Sequence, residues 1–230
     1  ETGQELWRLR ADDHAGTTIT GTPTAFEGTL YVAVSSLEVV SASLDTYECC
    51  SFRGSVLALD AKSGDKIWQT FTVDVPSAQS VNAAGTQNYG PSGAPIWNSP
   101  AIDVKRRQLY VGTGENYSSP ATLTSDAILA MGLETGDLRW SYQATPNDAW
   151  NAACVGRRTG ANCPEENGPD FDFGAAAVLT SDSNGNDIVL GAQKSGVVHA
   201  LNPDTGKLLW LTKVGRGGLH GGIHFGIAAS

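Results

Sequence analysis

Positive charge is in short supply in this chain. Lysine and arginine together number 15 against 24 aspartates and glutamates, a net charge of −9. Recruitment by nucleic-acid phosphates or an anionic membrane is therefore excluded as the basis of its function. Histidine is scarce as well: there are four, with no His-Glu-x-x-His among them, which argues against a zinc hydrolase. No Gly-x-Ser-x-Gly elbow and no glycine-rich phosphate loop occurs, so neither a serine hydrolase nor a nucleotide-binding loop is indicated. No apolar run reaches membrane-spanning length and no signal peptide is visible. The four cysteines form no Cys-x-x-Cys and no Cys-x-x-Cys-His, which excludes the common zinc spacings and covalent haem attachment within these residues.

What the chain has is a repeat. Thr2-Gly-Gln-Glu-Leu-Trp7, Ser63-Gly-Asp-Lys-Ile-Trp68, Thr135-Gly-Asp-Leu-Arg-Trp140 and Thr205-Gly-Lys-Leu-Leu-Trp210 share one pattern, with tryptophans 61, 72 and 70 residues apart. Three of the four follow an apolar run, Val56–Leu59, Ala127–Ala130 and Val197–Leu201. Run, polar turn and Trp-headed run together predict a β-hairpin, with the glycine supplying the positive φ of the turn. One indole per unit predicts packing between neighbouring units.

A further strand pair precedes each hairpin: Thr22–Ala33, Ser99–Gly112, and Gly174–Leu179 with Asp187–Gly191. Four strands per unit, arranged radially, make a β-propeller blade. The expected fold is all-β, about three to four blades of a propeller, with approximate boundaries at 1–17 (partial), 18–75, 76–145, 146–215 and 216–230. The chain opens inside a hairpin and stops without a closing strand, so it reads as a propeller segment truncated at both ends. Such a segment should be inactive alone and poorly soluble, because its strand edges are unpaired.

Several residues lie outside the blade pattern. Cys154 and Cys163 flank a polar loop that a disulfide would close, which favours an oxidising compartment. Cys49 and Cys50 are adjacent; they could bond to each other, or one could reach another partner. Residues 76–97, rich in small and polar side chains, read as a long ordered loop that ends in Trp97, a tryptophan outside the repeat. Glu115 and Asn116 follow a strand and offer the oxygen ligands a hard cation needs. Asp148, Trp150 and Asn151 share one loop, Asp170 and Asp172 flank Phe171, and His220 and His224 sit on a glycine-rich stretch.

Taken together, the Trp repeats, Gly112-Thr-Gly-Glu-Asn116, Thr145-Pro-Asn-Asp-Ala-Trp150 and Lys194-Ser-Gly resemble the eight-bladed quinoprotein alcohol dehydrogenases, which bind pyrroloquinoline quinone (PQQ). The segments Cys49-Cys-Ser-Phe-Arg-Gly54, Asn162–Gly174 and Gly221–Gly226 are most similar to the polyvinyl alcohol dehydrogenases of that family. The resemblance implies that Thr20 and Ser35 contact quinone oxygens, that Trp97 forms the floor under the quinone ring, and that Lys194 and His224 meet its reactive edge. Arg53 matches an arginine of the same blade, and Cys49 and Cys50 are candidates to cover the quinone. Glu38 matches the calcium carboxylate, with Glu115 and Asn116 at the second ligand position. The family's catalytic aspartate falls where this chain has Asn151, leaving Asp148, Asp170 or Asp172 to serve as base. Ala153 stands where lanthanide-using relatives carry an extra aspartate, which favours calcium.

The function implied is oxidation of an alcohol, polyvinyl alcohol or another, with electrons passed to a cytochrome c in the periplasm or outside the cell. Any haem c would lie in a separate domain. The competing readings are a non-catalytic propeller of the outer-membrane assembly type and a quinoprotein for sugars or small alcohols.

Overall fold

A computed structural model of the protein describes residues 2–156 and 159–229. Three antiparallel sheets follow one another along the chain. The first contains β1 (Thr17–Thr18), β2 (Thr24–Phe26), β3 (Thr29–Ser36), β4 (Ser55–Asp60) and β5 (Lys66–Phe71), with β1 and β2 sharing the inner edge of β3. Next come a hairpin, β6 (Ser77–Val81) and β7 (Gln87–Gly90), and the short β8 (Ser92–Gly93). The second sheet holds β9 (Ala101–Asp103) and β10 (Gln108–Gly112); β11 (Asn116–Ser118) then leaves it to pair with β8, and β12 (Ala127–Gly132) and β13 (Leu138–Gln143) complete it. The third runs β14 (Val178–Ser181), β15 (Asp187–Ala192), β16 (Val197–Leu201) and β17 (Leu208–Lys213), in sequential order. These are propeller blades, as the repeat predicts. Among the described residues, no helix is long and apolar enough to cross a membrane.

The repeat earns its spacing at the blade boundaries. Trp68 Nε1 donates to Leu133 O of the next sheet at 2.9 Å, and Trp140 Nε1 donates to Pro203 O at 2.9 Å. Each indole also lies on the turn glycine of the following unit. A Cβ on Gly136 would stand 2.5 Å from Trp68, and one on Gly206 2.6 Å from Trp140. Both glycines are left-handed, at φ +70° and +68°. Glycine is thus required twice over, once by the turn and once by the ring above it. Between the sheets, Tyr31, Val56, Ile96, Leu109, Leu129 and Met131 form a continuous core.

Two segments differ from the expectation. Residues 2–16 contain no strand. Trp7 docks nonetheless, donating to Ala61 O at 3.1 Å above Gly64. Residues 76–97, expected as loop, contain the β6–β7 hairpin. Asn82 Oδ1 accepts from Ala84 N and Thr86 N to close its turn, and Gly85 takes φ +84°. Because β6 is solvent-exposed, it lacks the apolar alternation by which a strand is recognised.

Candidate active site

The loops at one end of the blades are drawn together by Asn98, a residue the motif reading passed over. Its Nδ2 donates to Gly112 O and to Phe173 O, each at 2.7 Å, and its Oδ1 accepts from Gly112 N at 3.1 Å. This buried amide fixes three segments: the Trp97 approach, the loop carrying Glu115, and the stretch carrying Asp170 and Asp172. Only the surplus of backbone donors and acceptors on those segments calls for such a residue, and no sequence pattern announces it.

Glu115, Asp170 and Asp172 converge there. All three are buried, and one carboxylate oxygen from each lies within 4.8 Å of the others. Lys194, in the turn between β15 and β16, places Nζ 2.7 Å from Asp170 Oδ1 and 3.4 Å from Asp172 Oδ2. The Glu115 amide donates to Asp172 Oδ1 at 3.3 Å. Burial, then the charges of Asp172 and Asp170, push the Glu115 carboxyl well above its ordinary range. Burial and Asp172 raise Asp170 to about 8, against the pull of Lys194. Burial opposes the charge on Lys194, but its two aspartates outweigh it and the ammonium is raised. Two further carboxylates are buried close by. Asp126 has neither oxygen hydrogen-bonded among the described residues, and Asp148 lacks a partner for Oδ1.

Five buried carboxyl groups around a single ammonium can ionise together only beside a further positive charge, and an all-oxygen, all-acidic donor set suits a hard cation. Beside the cluster is a cavity of about 310 Å³ lined by Thr20, Ser35, Trp97, Glu115, Tyr117 and Asp172. It offers a flat indole wall, several hydroxyl-bearing side chains and two carboxylates, which fits a planar, polar-edged cofactor held against a cation. A Cβ on Gly174 would meet the Trp97 ring at 2.0 Å, so the chain can pass the indole edge only as glycine.

Five of the residues singled out by sequence, Thr20, Ser35, Trp97, Glu115 and Asp172, line that one cavity, and Lys194 stands behind it. His224 packs its ring 5.3 Å from Trp97, while the neighbouring Phe225 reaches the cavity. Other residues are placed elsewhere. Glu38 opens a short helix, α1 (Glu38–Ser41), and its carboxylate is taken up by protein donors. These are Ser51 N at 2.9 Å, Phe52 N at 2.8 Å, Tyr47 Oη at 3.0 Å and His14 Nε2 at 3.2 Å. Burial works to raise Glu38, but His14 and the two amides hold it below its ordinary value. Asn116 uses Oδ1 to accept from Thr122 and Nδ2 to donate to Ser92 O. Glu38 and Asn116, expected with Glu115 as metal ligands, thus have protein partners for their side-chain oxygens, and the carboxylates that converge with Glu115 are Asp170 and Asp172.

Asn151 is likewise committed. Its Nδ2 donates to Tyr117 O and Asn162 O at 2.8 Å each, and its Oδ1 caps the 3₁₀ turn Ala152–Cys154 through Ala153 N. Asp148, raised to about 6 by burial, accepts from Phe171 N at 3.2 Å and lies outside the cavity wall. Arg53 holds Val73 O at 2.9 Å with its guanidinium 3.7 Å over the Phe71 ring, away from the cavity. Cys49 and Cys50 are bonded to each other and buried, packed with Phe52 and Tyr117; Cys154 is bonded to Cys163.

Comparison with known proteins gives the site a context. Residues 9–154 match the PQQ family described as glucose/ethanol/alcohol dehydrogenase, beta-propeller domain. The whole chain is 42% identical to a polyvinylalcohol dehydrogenase of a Pseudomonas species and 39% identical to one of a Sphingopyxis species, in each case spanning 36% of the relative's length. In structure it is similar to a europium-containing methanol dehydrogenase, with a TM-score of 0.66 at 20% identity over 93% of this chain and 37% of that one. It also resembles a quinohemoprotein alcohol dehydrogenase of Pseudomonas putida HK5, with a TM-score of 0.62 at 22% identity over 93% of this chain and 30% of that one. The chain therefore spans about a third of the length of the curated relatives it matches.

Proposed function

This chain belongs to the PQQ family of glucose/ethanol/alcohol dehydrogenase β-propellers, and from that premise we propose that it carries the cofactor-binding side of an enzyme that oxidises alcohols, polyvinyl alcohol first among them. The convergence of Glu115, Asp170 and Asp172 beside the Trp97 wall carries this reading. PQQ, when bound, supplies a two-electron acceptor, and calcium a Lewis acid.

The protein's part is binding, charge and proton handling. Trp97 gives an apolar plate against which a flat ring system stacks, and Thr20 and Ser35 give hydroxyls that accept or donate at its edge. Glu115, Asp170 and Asp172 would hold the cation. Asp172, the aspartate of the pair that lines the cavity, would take the alcohol's hydroxyl proton. Lys194 keeps Asp170 and Asp172 oriented and brings positive charge to the wall where negative charge develops during oxidation. Tyr117, wholly buried, helps keep water from the reacting group.

The two cystines support a periplasmic or extracellular location. Electrons leave to a cytochrome c. Support for the polymer as substrate comes from the two polyvinylalcohol dehydrogenases, which match the chain along its whole length.

Calorimetric titration of the metal-free full-length protein with calcium tests the site. Glu115→Gln should weaken binding at least about tenfold, the loss that even outer partners of a metal site produce, whereas Glu38→Gln should leave it unchanged. Loss of calcium binding in Glu38→Gln alone would assign the metal elsewhere.

A further inference from the structure

Asp148 is a fully buried carboxyl group that the chemistry above leaves without a task. It lies on a segment that runs between the two stretches bearing the acidic cluster. On one flank, Asn116 N donates to Asp148 O at 3.3 Å and Trp150 N to Asn116 O at 2.7 Å, next to Glu115. On the other, Ala149 N donates to Glu166 O at 3.1 Å and Gly168 N to Ala149 O at 3.4 Å, at the start of the stretch that carries Asp170 and Asp172. Ala149 thus bridges Asn116 and Asn167, in parallel on both sides. A spacer paired in this way holds its two neighbours at strand separation from itself, about 4.7–4.9 Å on each side.

The Asp148 side chain adds a second hold, this one between the two aspartates. Its Oδ2 accepts from the amide of Phe171, the residue that separates Asp170 from Asp172, at 3.2 Å. Asp170 takes φ +57°, a left-handed conformation that a residue with a Cβ keeps only where its surroundings impose it. Two bonds hold it there. Asp148 takes the Phe171 amide on one side, and Lys194 Nζ takes the Asp170 carboxylate at 2.7 Å on the other. Gly168 makes room for the contact, since a Cβ there would stand 2.2 Å from Asp148 Oδ1.

We propose that Asp148 is a positioning residue for the cation site: through its carboxylate on Phe171 and its main chain on Asn116, it fixes Asp170 and Asp172 relative to Glu115. The inference rests on the cation reading above. Asp148 does not line the Trp97 cavity, so an alcohol bound there meets Asp172 and not Asp148. Carboxylates that hold a cation are themselves held by outer partners, and loss of such a partner weakens metal binding about 10- to 100-fold.

Calcium binding to the metal-free full-length protein is measured by calorimetry for the wild type, Asp148→Ala, Asp148→Asn and Gly168→Ala. Asp148→Ala should bind about 10- to 100-fold more weakly. Asp148→Asn loses the same charge but keeps an oxygen for the Phe171 amide, and should lose no more than about fivefold. Comparing the two separates the hydrogen bond from the charge. Gly168→Ala keeps the carboxylate and pushes it off that amide, so it should weaken binding about tenfold, and it reports on the contact even where Asp148→Ala does not fold. In the enzyme loaded with PQQ and calcium, Asp148→Asn should keep the wild-type pH profile of kcat, because the proton goes to Asp172. Equal losses in Asp148→Ala and Asp148→Asn, wild-type affinity in Gly168→Ala, or loss of turnover in Asp148→Asn with calcium still bound would each overturn the proposal. Absence of calcium binding by the wild type would instead overturn the cation reading, and the positioning role with it.

Discussion

Glu38 and His14 show how a single side chain's meaning depends on what surrounds it. The carboxylate is fully buried and meets His14 at 3.2 Å. His14 is raised above its ordinary 6.5 by the hydrogen bond to Glu38, so its contribution to stability is complete below that value and fades as pH climbs through the raised one. Glu38 is lowered from 4.5, so its contribution is complete above that value and fades as pH falls through the lowered one. The pair therefore stabilises the fold most between those two ordinary values. Glu38→Gln should cost about 1–3 kcal/mol there, read as a fall in Tm that narrows toward alkaline pH; a Tm deficit independent of pH would contradict the pairing. Sequence could place Glu38 after a strand, but not show that the amides of Ser51 and Phe52 would turn back to cap it. Asp170 and Asp172 were legible as candidate bases but not as neighbours of Glu115, because what gathers them is Asn98 and Lys194, far apart in sequence.

The acidic cluster makes a second prediction at this scale. Calcium at a hundred times its Kd should stabilise the metal-free protein by about 2.7 kcal/mol, seen as a rise in Tm that the Glu115→Gln, Asp172→Asn double variant lacks. An equal rise in that variant would place the ion elsewhere.

At the scale of elements, the hairpin turns carry the design. Gly85 and Gly136 both adopt positive φ, but a Cβ on Gly85 meets nothing within 4 Å, whereas one on Gly136 meets Trp68 at 2.5 Å. Gly85→Ala should cost about 1 kcal/mol from backbone strain alone. Gly136→Ala adds displacement of the indole and should cost about 1–3 kcal/mol more. Equal losses in urea melts of the two variants would show that ring docking contributes nothing. The Trp ladder was legible because glycine and tryptophan are each fixed by geometry at a constant separation. The β6–β7 hairpin was not, since its exposed strand has no apolar alternation and its turn is held by Asn82.

Across the whole molecule, three blades stack through Trp68 and Trp140, while β17 is exposed along its length and Trp210 stands 45% accessible. An apolar, unpaired edge of this kind promotes association. The 230-residue chain on its own should therefore scatter light as oligomers at micromolar concentration; a clean monomer would contradict this. The propeller class could be read from sequence, because repeats are local, whereas the grouping of Thr20, Ser35 and Trp97 came only from the family resemblance. The grouping of acids behind the Trp97 cavity could not be read, because it depends on how the blades turn toward one another.

The most direct test of the proposed function is dye reduction by the full-length protein, purified free of quinone and metal, with PQQ and calcium added singly and together. Polyvinyl alcohol and ethanol are the substrates. Turnover should require both additions and should favour the polymer. Turnover without PQQ, or neither turnover nor quinone binding with both present, would contradict it.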